Sequence, residues 1–214
     1  MKKKRKELIL ATALALFNER GLAVISLRQI AETMGISLGN LTYHFPKREQ
    51  LVRALYYALV EELNVLVFAP AMQEAQGIRA FKVLLEQMYQ LFWKYRFFLL
   101  DFRQILRAQT ELKRHYRELM QQRRQQFFIF LEQLAAEGQL KKEELEGEYA
   151  SLYRRLQRLS DFFLAALEIE NYKVEEGQKE FVCDQIFALY PYLLGESRLE
   201  AKQILLEGQK GKRL

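Results

Sequence analysis

Between Ser26 and Phe45 the chain reads SLRQIAETMGISLGNLTYHF, and no other stretch so narrows what it can fold into. Leu27, Ile30, Ala31 and Met34 recur at helical spacing, Gly35 interrupts them, and a second short stretch opens at Ser37. Glycine lacks a Cβ and takes the left-handed step that turns a chain sharply after a helix. Ala31 is small where two helices must cross closely, and Ile36 and Leu41 supply an apolar plug between them. Ser26 with Gln29 three residues on makes a capping box, and Ser37 caps a short helix from Leu38 to His44. That helix turns Leu38, Gly39, Asn40, Thr42, Tyr43 and His44 outward, with no long charged side chain among them to block approach to base edges. The unit reads as a helix-turn-helix whose second helix enters a DNA groove.

Beyond it the periodicity is helical throughout. Lys47 opens a long helix through Leu51, Leu55, Leu59 and Leu63 toward Pro70. Further helices are expected at Ile78 to Lys94, Phe97 to Gln109, Glu111 to Glu137, Glu143 to Tyr172 and Gln178 to Leu194, with a charged, fraying stretch after Gly195. Breaks are expected from Pro70 to Gly77, at Gly138 and at Gly177, and GQKGKRL reads as a flexible tail. With 214 residues, 50% of them hydrophobic and only three Pro, the chain is long enough for a sizeable all-α core of one or two domains. Residues 1 to 50 hold nine Lys/Arg against four Asp/Glu, so +5 of the net +6 lies beside the helix-turn-helix. Lys2, Lys3, Lys4, Arg5 and Lys6 read either as a phosphate-contacting arm or as a solvated tail.

The run from Ile9 to Leu51, through ILATALALFNERG, SLRQIAETMGIS and GNLTYHFPKREQLV, resembles the amino-terminal domain of the TetR family of bacterial transcriptional regulators. Tyr43, His44 and Phe45 followed by Lys47, Glu49 and Leu51 are the most diagnostic part. Pro46 departs from the polar residue common at that position, and a proline before a helix start is sterically comfortable. The resemblance implies a three-helix DNA-binding domain over residues 1–50 and a helical effector-binding and dimerisation domain over 51–214. It implies a repressor on an operator of double-stranded DNA. Its DNA-contacting set would be Ser26, Arg28, Ser37, Leu38, Gly39, Asn40, Thr42, Tyr43, His44 and Lys47. Tyr43 and Lys47 would clamp phosphates, and Asn40 and Thr42 would meet base edges. Leu38 and Gly39 would allow close approach, Arg28 would reach a base or phosphate, and His44 would touch phosphate or pack under Tyr43.

One helix-turn-helix covers few base pairs, so specificity calls for a homodimer with recognition helices about 34 Å apart on a near-palindrome. Leu152, Leu156, Leu159, Phe163 and Leu167 form one stripe, and Phe181, Ile186, Leu189, Tyr190 and Leu193 another. Such stripes suit an intrachain core or a four-helix dimer interface, and the resemblance favours the interface. An aromatic-dense stretch from Phe81 to Phe102 reads as core, or as the wall of a site for a small, largely apolar effector. The resemblance implies such a site; Tyr89, Trp93, Phe102, Gln104 and Tyr153 are its candidates.

Several classes fall away. No nucleophile, base and acid converge in sequence, so no catalytic residue is expected and the chain reads as a non-enzyme. A lone Cys183 and two distant histidines, His44 and His115, give no metal site, and no cofactor is expected. The basic start runs into Glu7 and an amphipathic helix rather than a secretory leader. No apolar run is long enough for a bilayer, so a cytoplasmic protein is expected. The remaining alternative is a helical protein-protein interaction module with a basic head.

Overall fold

The computed structural model describes residues 2–68, 77–170 and 173–209. They are all-α: an N-terminal helix-turn-helix domain is followed by a C-terminal helical bundle. No strand forms among the described residues, where pairing of that kind is limited to one antiparallel bridge between Leu140 and Leu193. The helices are α1 (Lys2–Arg20), α2 (Leu27–Thr33), α3 (Leu38–His44), α4 (Arg48–Val67), α5 (Gly77–Lys94), α6 (Arg96–Leu100) and α7 (Phe102–Ala108). They continue with α8 (Thr110–Ala136), α9 (Glu148–Glu170), α10 (Val174–Leu189) and α11 (Gly195–Gln209). Contacts group them into two compact units, the first comprising Met1–Asn64 with Leu91–Lys113 and the second Val65–Gln90 with Arg114–Leu214.

In the first unit Ile9, Ala13, Leu16 and Phe17 recur on one face of α1 and are buried, as are Ile30, Leu41, Leu51 and Leu55 on the helices that follow. The core continues into α6, where Phe97 lies 5.3 Å from Phe17 and Phe98 lies 5.1 Å from Tyr56 between ring centroids. The side chain of Asn18 fastens α1 to the α5–α6 turn. Its Nδ2 donates to the Lys94 carbonyl at 2.8 Å, and its Oδ1 accepts from the Phe97 amide at 3.1 Å. Both groups lie at helix ends and have no intrahelical partner. Glu62 adds a second fastening by accepting from Lys94 Nζ and from the Tyr95 hydroxyl, each at 2.6 Å.

In the second unit α9 and α10 close on each other. Leu156, Phe163 and Leu167 are buried against Phe181, Ile186 and Leu189, and the rings of Phe163 and Phe181 meet edge to face at 5.1 Å. Their apolar stripes are therefore a seam within one chain. The α8–α9 connection is pinned to the α10–α11 connection by Lys141 N donating to Tyr192 O and Leu194 N donating to Gln139 O, each at 2.8 Å. Gln139 Oε1 also accepts from the amide and hydroxyl of buried Ser197 in the first turn of α11, so the glutamine side chain caps that helix.

Several helix boundaries differ from the sequence reading. The Phe97 to Gln109 helix is two, parted at Asp101, whose φ and ψ of −97° and 14° leave the helical well. The helix expected from Glu143 begins at Glu148, because Glu143 accepts from the Tyr149 amide and Glu148 from the Glu144 amide across a turn. Gly177 lies inside α10, which starts at Val174 and yields to a 3-10 turn at Tyr190–Tyr192, where Pro191 cannot donate. The stretch expected to fray is helical from Gly195 to Gln209; α11 buries Ala201, Ile204 and Leu205, and Arg198 lies over the Tyr190 ring at 4.3 Å. The expected break at Pro70 and the tail beyond Gln209 lie outside the described residues, as does Tyr172.

Candidate nucleic-acid interface

Two caps and one glycine build the recognition unit. Ser26 Oγ accepts from the Gln29 amide at 3.3 Å while Gln29 Oε1 accepts from the Ser26 amide at 2.9 Å, a reciprocal capping box that starts α2. At its other end Gly35 adopts φ +63°, Ile36 N donates to Ala31 O and Gly35 N to Glu32 O, each at 3.0 Å. That pair of bonds is a Schellman motif, which satisfies the last carbonyls of α2 and redirects the chain. Ser37 then opens α3 by accepting from the Asn40 amide at 3.2 Å. Buried Ala31 and Leu41 hold the two helices together, and Phe45 closes the unit at its end.

Only Leu41 of α3 is buried. Ser37, Leu38, Gly39 and Asn40 are exposed, Tyr43 is 69% exposed, and Lys47 is exposed just ahead of α4. A Cβ placed on Gly39 would meet nothing within 4 Å, so no neighbour in the chain demands glycine there. Thr42 is half-buried and its hydroxyl donates to Leu38 O at 2.9 Å, so only its lone pairs and methyl remain for a base. His44 is half-buried beside Tyr43, their rings edge to face at 5.2 Å. Ser26 and Arg28 are exposed, and Arg28 pairs with Glu32 at 3.0 Å. With both partners in solvent that pair costs little to break. The structure thus brings the ten expected residues onto α2, α3 and their flanks.

Charge follows the same side of the sequence. Lys2 to Lys6 belong to α1 rather than to an extended arm, and Lys4, Arg5 and Lys6 are exposed in its opening turns. No acidic residue offsets them in the first turn, so they add to the positive end of the helix dipole and strengthen attraction for phosphate.

Sequence reasoning missed Arg48. Its Nη1 donates to the carbonyls of Leu22 at 3.0 Å, Ile25 at 3.2 Å and Ala23 at 3.4 Å, so the first residue of α4 ties down the α1–α2 connection one residue from Lys47. An arginine among Lys47, Arg48 and Glu49 carries no periodic signal that distinguishes it from a solvated charge.

The other expected sites are placed as follows. Of the effector candidates, Tyr89 and Tyr153 belong to the second unit, and Trp93, Phe102 and Gln104 to the first. Tyr89 is fully buried and donates to Val174 O at 3.0 Å, Tyr153 donates to Met120 O at 2.9 Å, and Gln104 is exposed. Of the interface candidates, Leu156, Phe163, Leu167, Phe181, Ile186 and Leu189 are consumed by the α9–α10 seam, whereas Leu159 and Tyr190 are half-buried. The large exposed apolar residues on those helices are Phe162, Ile169 and Phe187. Among the described residues no group of three or more His, Cys, Asp or Glu is placed to hold a metal, and no helix is long and apolar enough to cross a membrane.

Comparison with known proteins agrees with this arrangement. A model described as bacterial regulatory proteins, tetR family, matches residues 9–55, and one described as bacterial transcriptional repressor matches residues 60–200. The HTH-type transcriptional regulator RutR of Escherichia coli is 39% identical over 66 residues, 31% of this chain. That match spans 29% of RutR, well under two thirds of its length. Among solved structures, a TetR-family transcriptional regulator from Marinobacter aquaeolei VT8 aligns over 100% of both chains at TM-score 0.82 and 23% identity. The ketosteroid transcriptional regulator KstR2 of Mycobacterium tuberculosis aligns over 89% of this chain and 96% of its own at TM-score 0.61 and 20% identity. At such identities the likeness is one of fold, but the family models cover both parts of the sequence: the chain belongs to the TetR family of bacterial transcriptional regulators and carries that family's DNA-binding domain.

Proposed function

We propose that this regulator is a repressor that binds a near-palindromic operator as a homodimer in the cytoplasm and is released by a small effector. Contact with DNA belongs to residues 1–50, and effector binding and self-association to 51–214. The observation that carries the reading is the outward surface of α3, where exposed Leu38, Asn40 and Tyr43 flank a glycine with open space around it. Asn40 and Thr42 read bases, while Tyr43, Lys47 and the α1 basic residues hold phosphates. Selection from a random duplex pool tests this directly. An enriched near-palindrome is expected, with Tyr43→Ala and Lys47→Ala each weakening it and Lys47→Ala lowering the salt slope by about one. Sequence-blind binding, or variants that bind as well as the parent, would leave the interaction-module reading in its place.

Self-association is assigned to the outer faces of α9 and α10 and the turn that follows, through Leu159, Phe162, Phe187 and Tyr190, because the inner faces are already filled. Light scattering on Phe162→Asp and Phe187→Asp checks it: monomers are expected, and an unchanged mass overturns the assignment. Of the effector candidates named above, Tyr153 lies at the α8–α9 seam, the place where polar and aromatic groups gather. Release is read by adding a candidate ligand to the operator complex.

A further inference from the structure

The side chains of α3 divide by chemistry around the helix. At about 100° per residue, Gly39 and Tyr43 share the side turned away from buried Leu41, with Leu38 and Thr42 together on one flank and Asn40 on the other. Leu38 is 44% exposed, an apolar side chain that the fold of the chain does not use. The Thr42 hydroxyl donates to Leu38 O at 2.9 Å and lies 3.2 Å from Gly39 O. That side chain therefore has no proton to offer a base, and it adds a methyl group to the flank that Leu38 begins. Asn40 is exposed, and its carboxamide has no partner among the described residues, which leaves a donor and an acceptor side by side.

Each base pair presents its own set of groups in the major groove, where the first residues of a recognition helix reach the base edges. Guanine is held best by the paired donors of arginine or by lysine, adenine by the donor and acceptor of asparagine or glutamine, and thymine by apolar contact with its 5-methyl group. Between Ser26 and Phe45 there is one arginine, Arg28, and no lysine, and Arg28 stands on α2 beside Glu32. The reading helix itself holds neither. His44, at its far end, is half-buried against the Tyr43 ring. Lys47 lies beyond α3, and Arg48 is taken up by backbone carbonyls of the α1–α2 connection.

We infer that the bases read by α3 are A·T pairs: Leu38, with the Thr42 methyl beside it, senses thymine 5-methyl groups, and Asn40 holds the N6 and N7 edge of an adenine. Leu38 and Asn40 are turned about 160° apart on the helix, so they address different base pairs. Gly39 stands between them, and the open space at its Cα lets both flanks approach the groove floor. The inference rests on the proposal that α3 enters the major groove, and it names the class of sequence selected there.

The test titrates the full chain with the operator recovered from the random pool, each thymine in turn replaced by deoxyuridine and each adenine by 7-deazaadenine. The first change removes the 5-methyl group and the second the N7 acceptor. Losing one thymine methyl under Leu38 from each half-site is expected to weaken binding roughly tenfold, since burying one such group is worth about fourfold in affinity. At the adenines under Asn40, 7-deazaadenine should also cost roughly tenfold. Leu38→Ala should abolish the deoxyuridine effect and keep the other, and Asn40→Ala should do the reverse. Both side chains are exposed, so both variants should keep the fold. Specific binding that is insensitive to either analogue, or an analogue effect that survives its variant, overturns the inference and leaves the regulator reading standing. A selected half-site read at G·C pairs alone overturns it as well. Sequence-blind binding removes the groove reading itself, and this inference with it.

Discussion

The phenol oxygen of Tyr89 stands where a side chain on Gly177 would begin. A Cβ at Gly177 would lie 2.5 Å from Tyr89 Oη and 2.5 Å from Leu167 Cδ1. Gly177→Ala is therefore expected to destabilise the second unit by about 1–3 kcal/mol despite alanine's better helix propensity. A urea midpoint measures it, and adding Tyr89→Phe should recover part of the loss by removing the oxygen. A midpoint equal to the parent's would show that α5 and α10 separate easily.

Gly39 makes the opposite case. Nothing lies within 4 Å of its would-be Cβ, so Gly39→Ala should leave the melting temperature unchanged or raise it, by up to about 1 kcal/mol of helix propensity. Operator affinity should nevertheless fall, by about tenfold if the added methyl holds α3 off the groove wall. Stability and binding moving in opposite directions is the signature sought; affinity equal to the parent's would remove Gly39 from the interface.

Arg48 ties three carbonyls of the α1–α2 connection to the start of α4. Arg48→Met keeps much of the side chain's bulk and loses those bonds, with an expected cost of about 1–3 kcal/mol. DNA binding should weaken with it, because Lys47 and α2 lose their common anchor. Arg48→Lys should restore part of both, and footprinting of the three proteins would show the same operator bound less tightly rather than a different one.

Asp161 gives the ligand-free protein a particular acid response. Its folded pKa, raised by burial to about 6, exceeds the ordinary carboxylate value, so the folded state binds the proton more readily than the unfolded chain. The penalty of the ionised form is complete at pH 7.5 and is relieved as pH falls from about 6 toward the ordinary carboxylate value of roughly 4. Asp161→Asn should accordingly be more stable than the parent at pH 7.5, with the gap narrowing by roughly half at pH 5. Urea midpoints of the two proteins at both values decide it, and a gap that widens on acidification would place a cation beside the carboxylate.

The helix-turn-helix was legible because its signals are local: two serine caps, a glycine and a buried leucine fall within twenty residues. The stripes on α9 and α10 were equally legible as stripes. Periodicity tells which face of a helix is apolar but not whether its neighbour comes from the same chain, and the inner seam took the residues expected at a dimer interface. Gly177 was read for its backbone freedom and matters for its lack of a side chain, a requirement set by Tyr89 far earlier in the sequence. Asn18 and Arg48 were silent because what they bond is main chain at distant helix ends, which no residue pattern announces. The helix Gly195–Gln209 escaped notice because its few buried residues are spread thinly among charges.

Because α3 is fixed by its flanks, by the Ser37 cap before it and buried Phe45 after it, with Leu41 as its single anchor, Leu38, Gly39 and Asn40 contribute little to keeping the protein folded. Such a helix is an address label on a finished package. On the proposed reading of α3, descendants of this chain can acquire new operators by changes at those positions while inheriting the same body, because folding places little demand on them.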